Sequence, residues 1–135
     1  MPLQGLRLLL VDDERDTLEL FTQVLARAGA VIETAVSAEE AIMRLEQRCP
    51  DVLLCDIGMP HEDGYSLIRH VRALSPARGG DVPAVAVTAY GRVEDRVRLL
   101  AAGYDMHVPK PVEPAALIAV IATLARRSPI DEAQP

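Results

Sequence analysis

Cysteine is scarce in this chain of 135 residues: Cys49 and Cys55 are the two present, one closing a predicted helix and one inside an apolar run. That number excludes a disulfide framework and points to reduced thiols in an intracellular protein. A basic surplus is absent too. The formal net charge of −6 leaves nothing to meet a phosphate backbone, which argues against nucleic acid as a partner of this domain. Arginines do fall on predicted helices (Arg69, Arg72, Arg96, Arg98), but acids are interleaved with them. No apolar stretch reaches the length of a membrane span, so no membrane contact is expected. Met1 to Gly5 lacks the charged-then-apolar layout of a signal peptide. Internal repeats and low-complexity segments are also missing. A soluble, cytoplasmic domain is the expectation.

What the chain does have is apolar material: 50% of its residues are hydrophobic, in a length that suits one domain with a full core. Apolar runs alternate with amphipathic ones. Strands are expected at 6–11, 31–34, 51–55, 84–87 and 104–108, and helices at 14–28, 65–74, 92–102 and 114–125. A further helix starts at Ser37, where Glu40 stands at capping-box spacing, and is ended by Pro50. Gly29 and Gly103 are helix stops, and 57–63 and 75–83 are loops rich in breakers. Continuous apolar strands with helices between them argue an α/β fold, a parallel sheet covered on both faces. The domain is expected to span residues 1–127, followed by a polar, frayed tail over 128–135.

Polar residues break the apolar strands at their carboxyl ends: Asp12 and Asp13 after the first, Asp56 after the third, Thr88 after the fourth and Lys110 after the fifth. Ligands of open parallel sheets bind outside those ends, at the switch point where strand order reverses. If the first and third strands are neighbours there, three carboxylates converge. Two of them about 4 Å apart would repel by roughly 4 kcal/mol at an effective dielectric near 20. Mg²⁺ is the simplest compensation, because it takes few protein carboxylates and leaves room for phosphate and water oxygens. A carboxylate can also act as a nucleophile toward phosphorus. With a metal, a lysine ammonium and a threonine hydroxyl around it, such a group suits phosphoryl transfer, which asks mainly for positioning and charge neutralisation. The residues alone suggest a Mg²⁺-dependent aspartyl-phosphate site.

The order Val11-Asp12-Asp13-Glu14, Asp56-Ile57-Gly58-Met59-Pro60 with Asp63-Gly64, Thr88-Ala89 and Lys110-Pro111 resembles the receiver domain of two-component response regulators, from about Leu6 to Arg126. The resemblance implies a flavodoxin-like, doubly wound, five-stranded parallel sheet in the order 2-1-3-4-5. It implies a phosphoacceptor signalling domain rather than an enzyme, limited to self-phosphorylation and auto-dephosphorylation unless it belongs to a hybrid histidine kinase. Asp56 matches the acceptor of a phosphoryl group from a partner histidine kinase or histidine phosphotransfer protein. Asp13 matches the direct Mg²⁺ ligand, Asp12 the one acting largely through metal-bound water, and Gly58 the residue whose backbone carbonyl completes the metal shell. Thr88 matches the hydroxyl that turns toward the phosphoryl group, and Lys110 the ammonium that pairs with it. The bond before Pro111 is commonly cis in this family. The fourth helix and its neighbours carry partner contacts, including a dimer face formed with the fifth strand and fifth helix.

Two positions stand apart from the usual pattern. His107 occupies the switch position of the fifth strand, where Tyr or Phe is usual, so its charge could follow pH. Tyr90 and Gly58 occupy the positions that tune how water reaches the phosphoryl group. Two other functions share these residues. An aspartyl-nucleophile phosphohydrolase would often carry a second Asp where Gly58 stands, and a docking pseudo-receiver would not need the intact Asp56 and Lys110. His61 and His70 have no ligand spacing and are expected at the surface. The stretch Asp56 to Pro60 with Asp63-Gly64-Tyr65 is most similar to receivers at the carboxyl end of hybrid sensor kinases, which favours that origin over a free-standing receiver.

Overall fold

The computed structural model describes residues 1–58, 64–89 and 92–126. Met59, Pro60, His61, Asp63 and Tyr90, and the tail expected over 128–135, lie outside the described residues. The elements run β1 (Arg7–Val11), α1 (Arg15–Arg27), β2 (Val31–Ala35), α2 (Ala38–Gln47), β3 (Val52–Asp56), α3 (Gly64–Ala73), a 3-10 turn (Pro76–Arg78), β4 (Ala84–Thr88), α4 (Val93–Ala102), β5 (Met106–Pro109) and α5 (Pro114–Arg126). The sheet is parallel throughout, as the α/β reading expected, and its order β2-β1-β3-β4-β5 is the one the family resemblance implied.

Alternate residues of each strand face opposite sides. Leu8, Leu10, Val52, Leu54, Val85 and Val108 pack with Leu18 and Leu25 of α1 and with Leu117, Ile121 and Leu124 of α5. Leu9, Val11, Leu53, Cys55, Ala84 and Ala86 pack with α2, α3 and α4 through Ala41, Leu45, Leu67, Ile68, Val71 and Leu99. Burial of these aliphatic side chains, at about 25 cal/mol per Å² of apolar area, is the main force holding the layers together. Cys55 is part of that core, and no disulfide joins it to Cys49.

Ser37 caps α2, its hydroxyl accepting from the Glu40 amide at 3.1 Å while the Glu40 carboxylate accepts from Val36 N at 3.1 Å. Gly29, with φ of +103°, ends the segment after α1, its carbonyl accepting from Gly5 N. Several boundaries differ from expectation by a residue or two. Asp51 lies outside β3, because its carboxylate accepts from Arg7 N at 2.8 Å instead of joining the apolar run. Cys49 lies beyond α2, which stops at Gln47 with Arg48 as its cap. The fifth strand begins at Met106 rather than Tyr104, because Tyr104 N turns back to Leu99 O and closes α4. Arg98 is more than a solvated charge: its guanidinium stacks over the Tyr65 ring, 3.9 Å from the centroid.

Candidate functional site

Neighbouring β1 and β3 bring their carboxyl ends side by side, with Val11 opposite Cys55. The next residues are therefore Asp12 and Asp13 on one strand and Asp56 on the other. Carboxylate oxygens of all three lie within 4.8 Å of one another. Asp12 and Asp56 are buried, at 5% and 8% exposure, and Asp13 opens to solvent. Asp56 is still within the β3 ladder, opposite Val87, and Ile57 N donates to Val87 O at 3.0 Å. Both sides of Asp56 are thus fixed by backbone pairing.

Asp12 and Asp56 are further held by local bonds. Asp12 N donates to Ala35 O, and the Asp12 carboxylate accepts from Glu14 N at 3.0 Å. Asp56 Oδ1 accepts from Gly58 N at 3.2 Å. Lys110, brought in from the end of β5, donates to the same oxygen at 3.0 Å. Its amide donates to Thr88 O at 2.8 Å, which docks the Lys110-Pro111 segment on the end of β4, and the peptide bond before Pro111 is cis. Thr88 ends β4 one residue beyond the partner of Asp56 and is 2% exposed. Asp12, Asp13, Asp56, Thr88 and Lys110 therefore meet at one end of the sheet, as the strand-end pattern predicted.

The electrostatics reflect that crowding. Burial is the main cause that raises the Asp12 carboxyl from 3.8 to about 6, with Asp56 and the bond to Asp13 adding to it; the Glu14 amide and Lys110 pull the other way. The donor set is all carboxylate oxygen, with one acid open to solvent. That chemistry fits a hard divalent ion such as Mg²⁺ and does not suit a soft metal.

His107 lies on β5 opposite Ala86, half-buried. Met106 and Val108 on either side belong to the α1/α5 face, so alternation places His107 on the α2/α3/α4 face. Two residues that tie distant segments of the chain together were not singled out from sequence. Arg72 donates to Gly103 O, Gly80 O and Val82 O and to the Asp105 carboxylate, at 2.6 to 3.1 Å. Tyr104, buried at 3% exposure, donates from its hydroxyl to Gly64 O at 2.7 Å. The partners are 31 to 40 residues apart for Gly103 and Gly64, beyond what local spacing can reveal.

The family model of the response regulator receiver domain matches residues 8–122. The chain is 41% identical over 114 residues to an uncharacterized 14.6 kDa protein of Leptolyngbya boryana, covering 84% of this chain and 86% of that protein. It is 36% identical over 121 residues to the phosphate regulon transcriptional regulatory protein PhoB of Escherichia coli, covering 90% of this chain and 52% of that one. The chain thus spans about half the length of the transcriptional regulators it matches. A solved CheY-like response regulator receiver domain protein of Methanospirillum hungatei superposes with a TM-score of 0.81 at 30% identity, over 92% of this chain and 96% of that one. The strand order, the paired acids beside Asp56 and these matches lead to one conclusion: the chain belongs to the response regulator receiver domain family of two-component systems.

Proposed function

We propose that the domain accepts a phosphoryl group on Asp56 from a phosphohistidine of a partner kinase or phosphotransfer protein, with Mg²⁺, and thereby switches a protein-interaction surface. One observation carries this reading: a nearly buried Asp56 shares its pocket with two more carboxylates and one ammonium. That set supports nucleophilic attack by an Asp56 oxygen on phosphorus. The O–P bond forms, the P–N bond of the donor breaks, and the leaving imidazole nitrogen recovers a proton. Asp12, Asp13, Asp56 and the Gly58 carbonyl would hold Mg²⁺, which when bound supplies charge neutralisation for the phosphoryl oxygens. Lys110 holds the Asp56 carboxylate before transfer and is placed to follow the new negative charge. Thr88 sits at the adjoining strand end and supplies a hydroxyl to a phosphoryl oxygen. Asp56 being positioned by backbone on both sides favours a fixed acceptor, and Gly58, standing where such a phosphohydrolase would often carry a second Asp, disfavours turnover of outside substrates.

The switched surface is the face of α4, β5 and α5. Val93, Val97 and Leu100 are 62%, 60% and 53% exposed and share one side of α4, which supports a protein contact, including a dimer, through that face. Among the described residues no helix is long and apolar enough to cross a membrane. A cytoplasmic site of action fits the phosphodonor.

The test is incubation with Mg²⁺ and acetyl phosphate, followed by intact mass. A single stable addition, absent in Asp56→Asn, is the expected result. Multiple-turnover phosphate release would favour a phosphohydrolase, and no addition under any condition a docking pseudo-receiver.

A further inference from the structure

Ile57, the residue after Asp56, meets the start of α3: Gly64 N donates to Ile57 O at 3.5 Å. Gly64 O in turn accepts from the Tyr104 hydroxyl at 2.7 Å. Tyr104 belongs to the junction between α4 and β5, and its own amide closes α4 on Leu99 O. One buried hydroxyl therefore holds the residue that meets Ile57, and the backbone of the same tyrosine closes α4.

Gly64 sits where no side chain fits. A Cβ built on Gly64 would lie 2.7 Å from Ile57 Cδ1, 3.0 Å from Tyr104 Oη and 3.2 Å from the Asp56 carbonyl oxygen. Gly64 is thus bonded through its amide to Ile57, next to Asp56, and through its carbonyl to the Tyr104 hydroxyl. Arg72 holds the other side of the same junction through Gly103 O and the Asp105 carboxylate, so the junction responds as a unit.

We infer that Tyr104 is a positioning residue that sets the Ile57–Gly64 contact beside Asp56 and passes the occupancy of the acidic cluster to α4. The inference rests on the phosphoacceptor reading of Asp56. It adds a hydroxyl-to-carbonyl route through Gly64, separate from Thr88 and His107. A coupling of this kind requires that the two states of the site differ in their contacts with Gly64.

The experiment is a Mg²⁺ titration of the whole chain followed by amide NMR, with a ¹³Cζ-tyrosine label reporting on Tyr104. In the wild type, amides of Asp12, Asp13, Asp56 and Gly58 move, and those of residues 99–105 and the Tyr104 Cζ signal move with them. In Tyr104→Phe, loss of one buried hydrogen bond weakens Mg²⁺ binding roughly three- to tenfold. The response at 99–105 is lost, while that at Asp12 and Asp56 remains. Tyr104→Phe with a lowered melting temperature but unchanged Mg²⁺ affinity and an unchanged response at 99–105 overturns the inference, because a purely structural hydroxyl would behave that way. Should the variant fail to fold, the wild-type label decides: a Tyr104 Cζ signal that stays fixed while Asp56 and Gly58 respond overturns the inference and leaves the phosphoacceptor reading intact. Absence of any response at Asp12, Asp13 and Asp56 overturns both.

Discussion

Lys110 Nζ stands 3.0 Å from Asp56 Oδ1, joining residues 54 positions apart across the end of the sheet. Asp56 is nearly enclosed and Lys110 is partly open, so the ammonium is the solvent-facing partner of the pair. Under the proposed function, Lys110→Ala removes the cation that offsets the developing charge on phosphorus. Phosphoryl addition from acetyl phosphate should slow by roughly 10²-fold, the scale of one lost electrostatic partner. Mg²⁺ binding should tighten in the same variant, since a competing cation has left the acidic cluster. Mass time courses and a metal titration read the two effects separately.

Asp12 makes the metal-free protein pH-dependent. Its carboxyl is raised from 3.8 to about 6 in the fold, chiefly by burial. A raised folded-state value means that the native state binds the proton more tightly than the unfolded chain. The stability from that proton is complete below pH 3.8 and is lost as pH rises through about 6. A shift of this size corresponds to about 3 kcal/mol at most. Urea midpoints of the metal-free protein, corrected for other groups by the Asp12→Asn variant, should fall between pH 4 and 6.5, and saturating Mg²⁺ should restore them at the upper end. Proton and metal compete for the same acid, so Mg²⁺ affinity should rise across the same window.

His107 should affect output and leave the acceptor chemistry alone. It lies on the face of β5 that looks toward α4, away from the carboxylate cluster. His107→Ala should be phosphorylated within about threefold of the wild-type rate, while phosphorylation-induced amide shifts across α4 shrink by at least about half, as a population shift that has lost its reporter would show. Thr88→Ala should reduce both, because the proposed function gives its hydroxyl a place at the phosphoryl group as well as on the path to α4.

Arg72 should carry stability. Its guanidinium satisfies the carbonyls of Gly80, Val82 and Gly103, and Asp105, which it pairs with at 3.1 Å, also accepts from Ala84 N at 2.8 Å. Arg72→Met keeps most of the apolar stem and orphans that set. Chemical denaturation should show a loss of about 2–4 kcal/mol, since partly buried acceptors left unpaired cost more than the bonds themselves gained.

The site was legible in the sequence because its members sit at strand ends, where a polar residue interrupts an apolar run. Asp12, Asp13, Asp56, Thr88 and Lys110 each show that interruption, and a parallel sheet brings such ends together. The layering was legible for a similar reason: Leu18, Leu25, Leu117 and Ile121 repeat at helical spacing, and the strands are continuous apolar runs. Arg72 and Tyr104 left no such mark. An arginine on a helix and a tyrosine after a glycine are ordinary residues locally, and both act on backbone carbonyls of distant loops, which have no side-chain signature. The β5 start was misplaced for the same cause. Tyr104 looks like a strand residue, but its amide closes α4 and its ring fills the space beneath Gly64.

The most direct measurement is the location of the phosphoryl group itself. The protein is treated with acetyl phosphate and Mg²⁺, the product is reduced with borohydride, and the peptides are mapped by mass. An aspartyl phosphate is converted to homoserine at the modified position. Homoserine is expected at position 56 alone, and none when Mg²⁺ is chelated. Homoserine at Asp12 or Asp13, or an unmodified Asp56 in the presence of Mg²⁺ and donor, would contradict it.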